Sequence, residues 1–311
     1  MAVAGSFVGG QLLEATPGGS FGKREHDPNL VILLSDLHVN GMYDVKPWLK
    51  ERHQEQNLEF TVNAILRMEP LPANVIVFGD LSCLFGYLND YVCVKKYFKR
   101  LEDAGINLTL GVGNHDRRET FLEAFPSYVK SPVPGRIVTA LSLPHADLLM
   151  LDTLNQGTDP DAFSPVPGTI DKVQGEWLKE SLPKWPRPVF VCHHHPVREL
   201  QVCGRPFEEL LMASPNVVGV IRGHAHHWSK TAHYRHWTKT DTKRELGLPS
   251  ACNWGDIGYA VLRLHPDHAV VELRQRDYWY PRPDMPKDPS WAAMTAENQG
   301  QKCRFEIRLS T

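Results

Sequence analysis

Long hydrophobic runs are missing from this chain. No stretch of its 311 residues is long and apolar enough to span a bilayer. Cysteine is sparse. The six, Cys83, Cys93, Cys192, Cys203, Cys252 and Cys303, include no CxxC pair. Neither a structural zinc site nor a disulfide scaffold is therefore indicated, although an even number permits disulfides. Charge of one sign is also lacking: the net charge is −2 and no run of Lys or Arg occurs. Nucleic acid and anionic membranes are not indicated as bulk partners. There is no internal repeat and no low-complexity segment.

What is present is an ordinary globular composition, 42% apolar and 23% charged. The length suits one large domain or two small ones with a sizeable core. Residues 1–13 are small and apolar, and no Lys or Arg precedes Lys23. A whole secretory signal begins with a basic region, which is absent here. The stretch reads as the remnant of a longer export signal or as a disordered N-terminus; export to a periplasm-like compartment is the preferred expectation. Residues 1–28 form that leader, 29–276 the main domain, and 277–311 an extension rich in Trp, Tyr and Pro that packs on it or forms an oligomer contact.

Residues 30–35 are a continuous apolar run, as in a strand buried on both faces. Further strands are expected at 74–78, 106–112, 136–143, 147–151, 189–192 and 217–221. Residues 259–264 and 269–273 alternate like half-buried antiparallel strands. Helices are expected at 58–68, 91–101, 120–125, 172–182 and 207–212, with Asp171 as an N-cap and Gly105 as a stop. Strand–helix alternation followed by mostly strands suits two packed sheets with helices outside.

Five short blocks carry the chemistry: Asp36-Leu37-His38, Gly79-Asp80, Gly113-Asn114-His115-Asp116, His193-His194-His195-Pro196 and Gly223-His224-Ala225-His226. The first four follow runs that read as buried strands. Histidine and carboxylate repeated at strand ends are what a two-metal hydrolytic centre needs. Asp36 and His38 are two apart, so strand periodicity puts both on one face. His224 and His226 repeat that spacing. Asn114 offers a neutral carbonyl oxygen. His193 and His195 alternate with His194 and point away from it if the strand continues.

The ordered set resembles the calcineurin-like metallophosphoesterases. The resemblance spans residues 36–226 with no ligand position substituted. It implies an α/β fold: a four-layer α/β/β/α sandwich of two mixed sheets with flanking helices and the metals at strand ends. It implies two divalent or mixed-valence ions, drawn from Mn, Fe or Zn. Asp36, His38 and His226 would hold the first and Asn114, His194 and His224 the second, with Asp80 bridging. His115 would lie over the substrate phosphate and assist the leaving oxygen, with Asp116 orienting its imidazole and raising its pKa. His227 is an ordinary loop residue. Attack by a bridging hydroxide on a small phosphoester follows, with no phospho-enzyme.

The HHHP and GHAH blocks look closest to the small bacterial phosphodiesterase branch, so a diester is expected. A monoester is the alternative, and a non-catalytic metal-binding scaffold a third reading. The segment 81–87 is apolar where many relatives are polar, and either accepts an apolar leaving group or packs as a loop. Arg117, Arg118 and Arg198 contact phosphate or are surface charges.

Overall fold

The computed structural model describes residues 6–8, 11–13, 24–41, 53–162, 164–228, 245–279 and 303–309. Two sheets form its centre. The strands of the first, in chain order, are β3 (His26–Leu34), β4 (Leu71–Val77), β5 (Asn107–Leu110), β13 (Gly255–Leu264), β14 (His268–Trp279) and β15 (Arg304–Arg308). Their spatial order is β15-β14-β13-β3-β4-β5. β3, β4 and β5 run parallel, and the rest are antiparallel.

The second sheet uses β1 (Ser6–Val8), β2 (Gln11–Leu13), β6 (Thr139–Ser142), β7 (Asp147–Met150), β8 (Val189–His193), β11 (Val217–Arg222) and β12 (Glu245–Gly247). Their order is β12-β11-β8-β7-β6-β1-β2, with β7, β8, β11 and β12 parallel. A small hairpin, β9 (Gln201–Val202) and β10 (Arg205–Pro206), stands apart.

Strand alternation sorts the apolar residues into layers. Val31, Leu33, Ile76 and Phe78 of the first sheet meet Leu148, Met150, Phe190, Cys192 and Ile221 of the second in one buried cluster. Leu30, Ile32, Leu34, Val75 and Val77 face the other way, against α1 (Gln54–Leu66) and α2 (Leu88–Asp103). Helical spacing supplies the matching stripes, Leu58, Val62 and Ile65 on α1 and Tyr91, Val94, Phe98 and Leu101 on α2. On the far side Leu149, Val189, Val191 and Val217 pack with Leu178 of α4 (Lys172–Ser181) and Phe207 and Leu211 of α5 (Phe207–Met212). The protein is thus a four-layer α/β/β/α sandwich of two mixed sheets, as expected. A short α3 (Arg118–Ala124) follows the third block.

The carboxyl ends of β3, β4, β5, β8 and β11 lie at one rim, and each leads into one of the five blocks. The fifth block, too, follows a strand. The last strand, β15, completes the first sheet from within the expected extension, and from within the expected leader β1 pairs with β6 and β2 with β1. Most of that leader, and residues 280–302 of the extension, lie outside the described residues. The six cysteines are free thiols. No helix among the described residues is long and apolar enough to cross a membrane.

Candidate metal centre

Leaving their strands, the loops turn sharply at five of the seven ligand candidates. Asp36, His38, Asp80, His224 and His226 adopt φ of 54°, 48°, 51°, 72° and 57°. This left-handed region costs a non-glycine residue about 1–3 kcal/mol and is held by its surroundings. Hydrogen bonds between the loops hold it here. Asp36 N donates to Gly79 O at 3.2 Å and His38 N to Asp80 O at 2.9 Å. Ser250 Oγ donates to Asp36 O at 2.7 Å, and Asp256 N to His226 O at 2.8 Å. The common facing of Asp36 and His38 thus comes from two left-handed turns beyond the strand, not from strand periodicity.

Gly223 allows the last block to close on the first. A Cβ there would lie 2.0 Å from Ser35 Oγ and 2.9 Å from Asp36 Oδ2. Gly79, at φ 100°, abuts the backbone of Val112 and Gly113 just as closely.

The side chains then converge. Asp36 Oδ1 is 3.2 Å from His226 Nε2 and 3.9 Å from His38 Nε2. Asp80 Oδ2 is 3.1 Å from His194 Nε2 and 3.5 Å from His38 Nε2. His224 Nδ1 is 2.9 Å from Asn114 Oδ1 and 3.3 Å from His194 Nε2. All but His224 are buried, and Asp80 stands between the two halves, within reach of both His38 and His194.

The tautomers show what this arrangement holds. His226 Nδ1 lies 2.9 Å from Trp254 O, and His38 Nδ1 3.4 Å from Cys83 O. A carbonyl only accepts, so in both rings the hydrogen sits on Nδ1 and Nε2 carries a lone pair. Yet these two Nε2 atoms face each other at 3.0 Å, beside two carboxylates. Acceptors aimed at acceptors in a buried site repel unless a cation lies among them. The donor set fits divalent metal. His194 Nδ1 is likewise 2.9 Å from Phe78 O, which leaves its Nε2 for Asp80 or an ion.

The electrostatics agree. Burial would raise the Asp36 carboxyl, but positive charge on the imidazoles that face it, His226 foremost, outweighs it and holds it well below the usual range, the same demand for positive charge that an ion would meet. Asp80 behaves alike, with His194 its strongest counterweight. Burial would depress the His194 imidazole, yet the same two carboxylates raise it to about 9. An arriving cation displaces that proton.

Residues 30–228 match the family described as calcineurin-like phosphoesterase, well over half of the 311-residue chain. The chain belongs to the calcineurin-like phosphoesterase family.

Its members are metal-dependent, as the donor set requires. A probable cyclic nucleotide phosphodiesterase of Rhodopseudomonas palustris is 29% identical over 171 residues, covering 53% of this chain and 56% of that protein. The chain thus spans little more than half the length of that curated relative. Among solved structures, PhoD superposes with a TM-score of 0.48 at 13% identity, covering 80% of this chain and 66% of that one. The calcineurin-like phosphoesterase YfkN from Bacillus subtilis gives 0.43 at 10% identity, covering 87% and 96%.

Within this calcineurin-like site, the seven ligand candidates Asp36, His38, Asp80, Asn114, His194, His224 and His226 come together. His115 joins them: its backbone N donates to Asp80 Oδ1 at 2.8 Å, and its ring meets that of His38 edge-on at 4.6 Å. The role expected of Asp116 is different in the structure. Its carboxylate accepts from Leu81 N, Ser82 N, Gly113 N and Tyr91 Oη, at 2.9–3.1 Å. It therefore braces the second and third blocks and does not orient the His115 ring. Burial lowers His115 to about 4, so the raised pKa expected for it is not found.

His195 does not point away from the site, because β8 ends at His193 and strand alternation ends with it. Arg117 and Arg118 are spent on structure. Arg117 binds Asp159 O and Gly157 O, and Arg118 grips Asp152 and Leu154 O. Arg198 lies 4.0 Å from Glu199. His227 lies 3.7 Å from Asp256, outside the ligand set. The segment 81–87 does border the site, through Cys83 O beneath His38. Sequence reasoning missed Trp254, whose ring stacks on His226 at 4.1 Å, and Ser250; both lie on a turn that only the pairing of β13 with β3 brings to the rim.

Proposed function

We propose that this phosphoesterase hydrolyses a phosphodiester at a two-ion centre. The observation that carries the reading is the facing pair of Nε2 lone pairs on His38 and His226, continued through Asp80 to His194, His224 and Asn114. Asp36, His38 and His226 would hold one ion, Asn114, His194 and His224 the other, and Asp80 both. Two divalent ions there supply positive charge to the phosphate oxygens and an activated water. Asp36 and Asp80 cancel about half of the roughly four positive charges, leaving a small excess suited to an anionic ester.

His115 stands beside this centre with a ring kept neutral by burial. It would place an N–H on the leaving oxygen and stabilise, as a hydrogen-bond donor, the negative charge that develops there. Asp116 fixes the two loops that carry Asp80 and His115.

Charge favours a diester over a monoester. A dianionic monoester asks for a further cation, and Arg117 and Arg118 are tied to carbonyls and to Asp152. The phosphodiesterase relative points the same way. A phosphomonoesterase on the same ligands is the alternative.

The test is hydrolysis of an aryl phosphodiester against the matching monoester, using metal-stripped protein reloaded with manganese. Diester turnover should dominate and fall about 10²–10³-fold in His115→Ala, the range for a lost charge-stabilising donor. It should also collapse in Asn114→Ala. Preference for the monoester would move the reaction to a phosphatase. No turnover with two ions bound would leave a binding scaffold.

A further inference from the structure

The five blocks leave one buried imidazole unassigned. His195 is fully buried behind His194 and His224. Its ring centroid lies 5.0 Å from each of theirs. Ligand nitrogens of all three residues fall within 4.8 Å of one another.

The ring is fixed from two sides. Nδ1 is 2.9 Å from Thr153 Oγ1. The backbone of Gly168 presses on the ring, since a Cβ there would lie 2.3 Å from its Cγ. Nε2, the other nitrogen, is sealed from solvent and has no hydrogen-bond partner among the described residues. A buried ring nitrogen left this way has lost its hydration with nothing in return. A water-sized atom cannot reach it, so a phosphate oxygen cannot either. A metal ion, smaller than water, can occupy the space between it and its neighbours. The 3.3 Å between His194 Nε2 and His224 Nδ1 suits two nitrogens each at about 2.0–2.1 Å from one ion.

We infer that His195 Nε2 is a third imidazole ligand, with His194 and His224, of the ion shared by Asn114 and Asp80. This rests on the two-ion reading above. In that state His195 Nδ1 donates to Thr153 Oγ1, and Nε2 turns its lone pair to the ion. The two positions then differ. One ion has the imidazoles of His38 and His226; the other has three. Imidazole favours zinc, iron and cobalt over manganese, so the second position becomes the more selective one.

The experiment is stepwise loading of metal-stripped protein with zinc and with cobalt, in wild type, His195→Ala, His195→Asn and Thr153→Val. The first readout is the affinity of each equivalent, by competition with a chelating dye. The second is proton NMR of the cobalt form, where each coordinated ring gives a strongly shifted N–H signal. His195→Ala should weaken the ion at the second position by at least the ~10–100-fold seen for lost outer-shell partners. Thr153→Val should weaken it less. One shifted N–H present in wild type should vanish in His195→Ala while the others stay. Should His195→Ala not fold, His195→Asn and the wild-type signal count carry the test, five shifted rings supporting the inference and four overturning it. Equal affinities in wild type and His195→Ala would likewise overturn it, with the two-ion centre intact. Wild type that takes up fewer than two ions would overturn the underlying reading instead.

Discussion

Four donors meet the carboxylate of Asp116, and none belongs to His115. Asp116→Asn turns one oxygen into a donor facing donors. It should cost about 1–3 kcal/mol in urea unfolding, and loss of loop register should lower turnover with it. An unchanged unfolding midpoint would show that the brace is unimportant. Asp90 gives a second prediction. Burial raises its carboxyl despite hydrogen bonds from Ser82 Oγ, Gly41 N and Cys83 N. Its folded pKa lies above the unfolded 3.8. Between these values the folded protein holds more protons, so stability falls as pH rises through the window. Urea midpoints of wild type and Asp90→Asn across pH 3–6 should differ in that slope, and parallel curves would contradict it. At this scale the ligand types were legible, because few side chains bind metal and all were present in order. The bracing role of Asp116 and the inward placement of His195 were not. Both depend on where the backbone leaves its strand and which loops then meet, which no repeat of two or 3.6 residues encodes.

Elements were legible where their signal is local. The Asp171 side chain accepts from Gln174 N at 3.0 Å, capping α4 where the sequence placed a cap. Asp171→Ala should cost about 0.5–2 kcal/mol in thermal or urea melts, and Asp171→Asn much less. The buried stripes of α1 and α2 and the apolar runs of β3, β4 and β8 were likewise visible. β12, β15 and the β9–β10 hairpin were not, because strands of two to five residues gain their identity from partners far along the chain. Even the rim depends on a distant fit. Gly223 lets the turn after β11 rest on Ser35, at the end of β3 in the other sheet. Gly223→Ala must push these strand ends apart. A destabilisation of about 1–3 kcal/mol, typical of overpacking, should accompany a large loss of metal affinity measured by chelator competition. Retained affinity would mean that the rim is more yielding than its contacts imply.

Across the whole molecule the ligand candidates divide between the sheets. Asp36, His38, Asp80 and Asn114 follow strands of the six-stranded sheet, and His194, His224 and His226 follow strands of the seven-stranded one. Among the described residues, the apolar layer around Phe190, Phe78 and Leu262 joins the faces of the sheets behind that rim. Bound ions should therefore act as a clamp across the sandwich at one rim. A ligand that binds only the folded state stabilises by about 2.7 kcal/mol at a free concentration 100 times its Kd. Two ions, as proposed, would give roughly twice that, a rise in Tm on the order of 10 °C for a chain of this size. Chelation should remove the whole increment. Asp36→Ala and His224→Ala, one ligand from each sheet, should each lose a large part of it. Phe190→Ala tests whether the clamp and the core are separate. Its cost of about 3–5 kcal/mol should be the same with metal and with chelator, since the cavity it opens lies inside the sandwich and not among the ligands. If instead metal rescues Phe190→Ala, core and rim form one cooperative unit. If chelator leaves the wild-type Tm unmoved, the centre holds its ions too weakly to join the sheets.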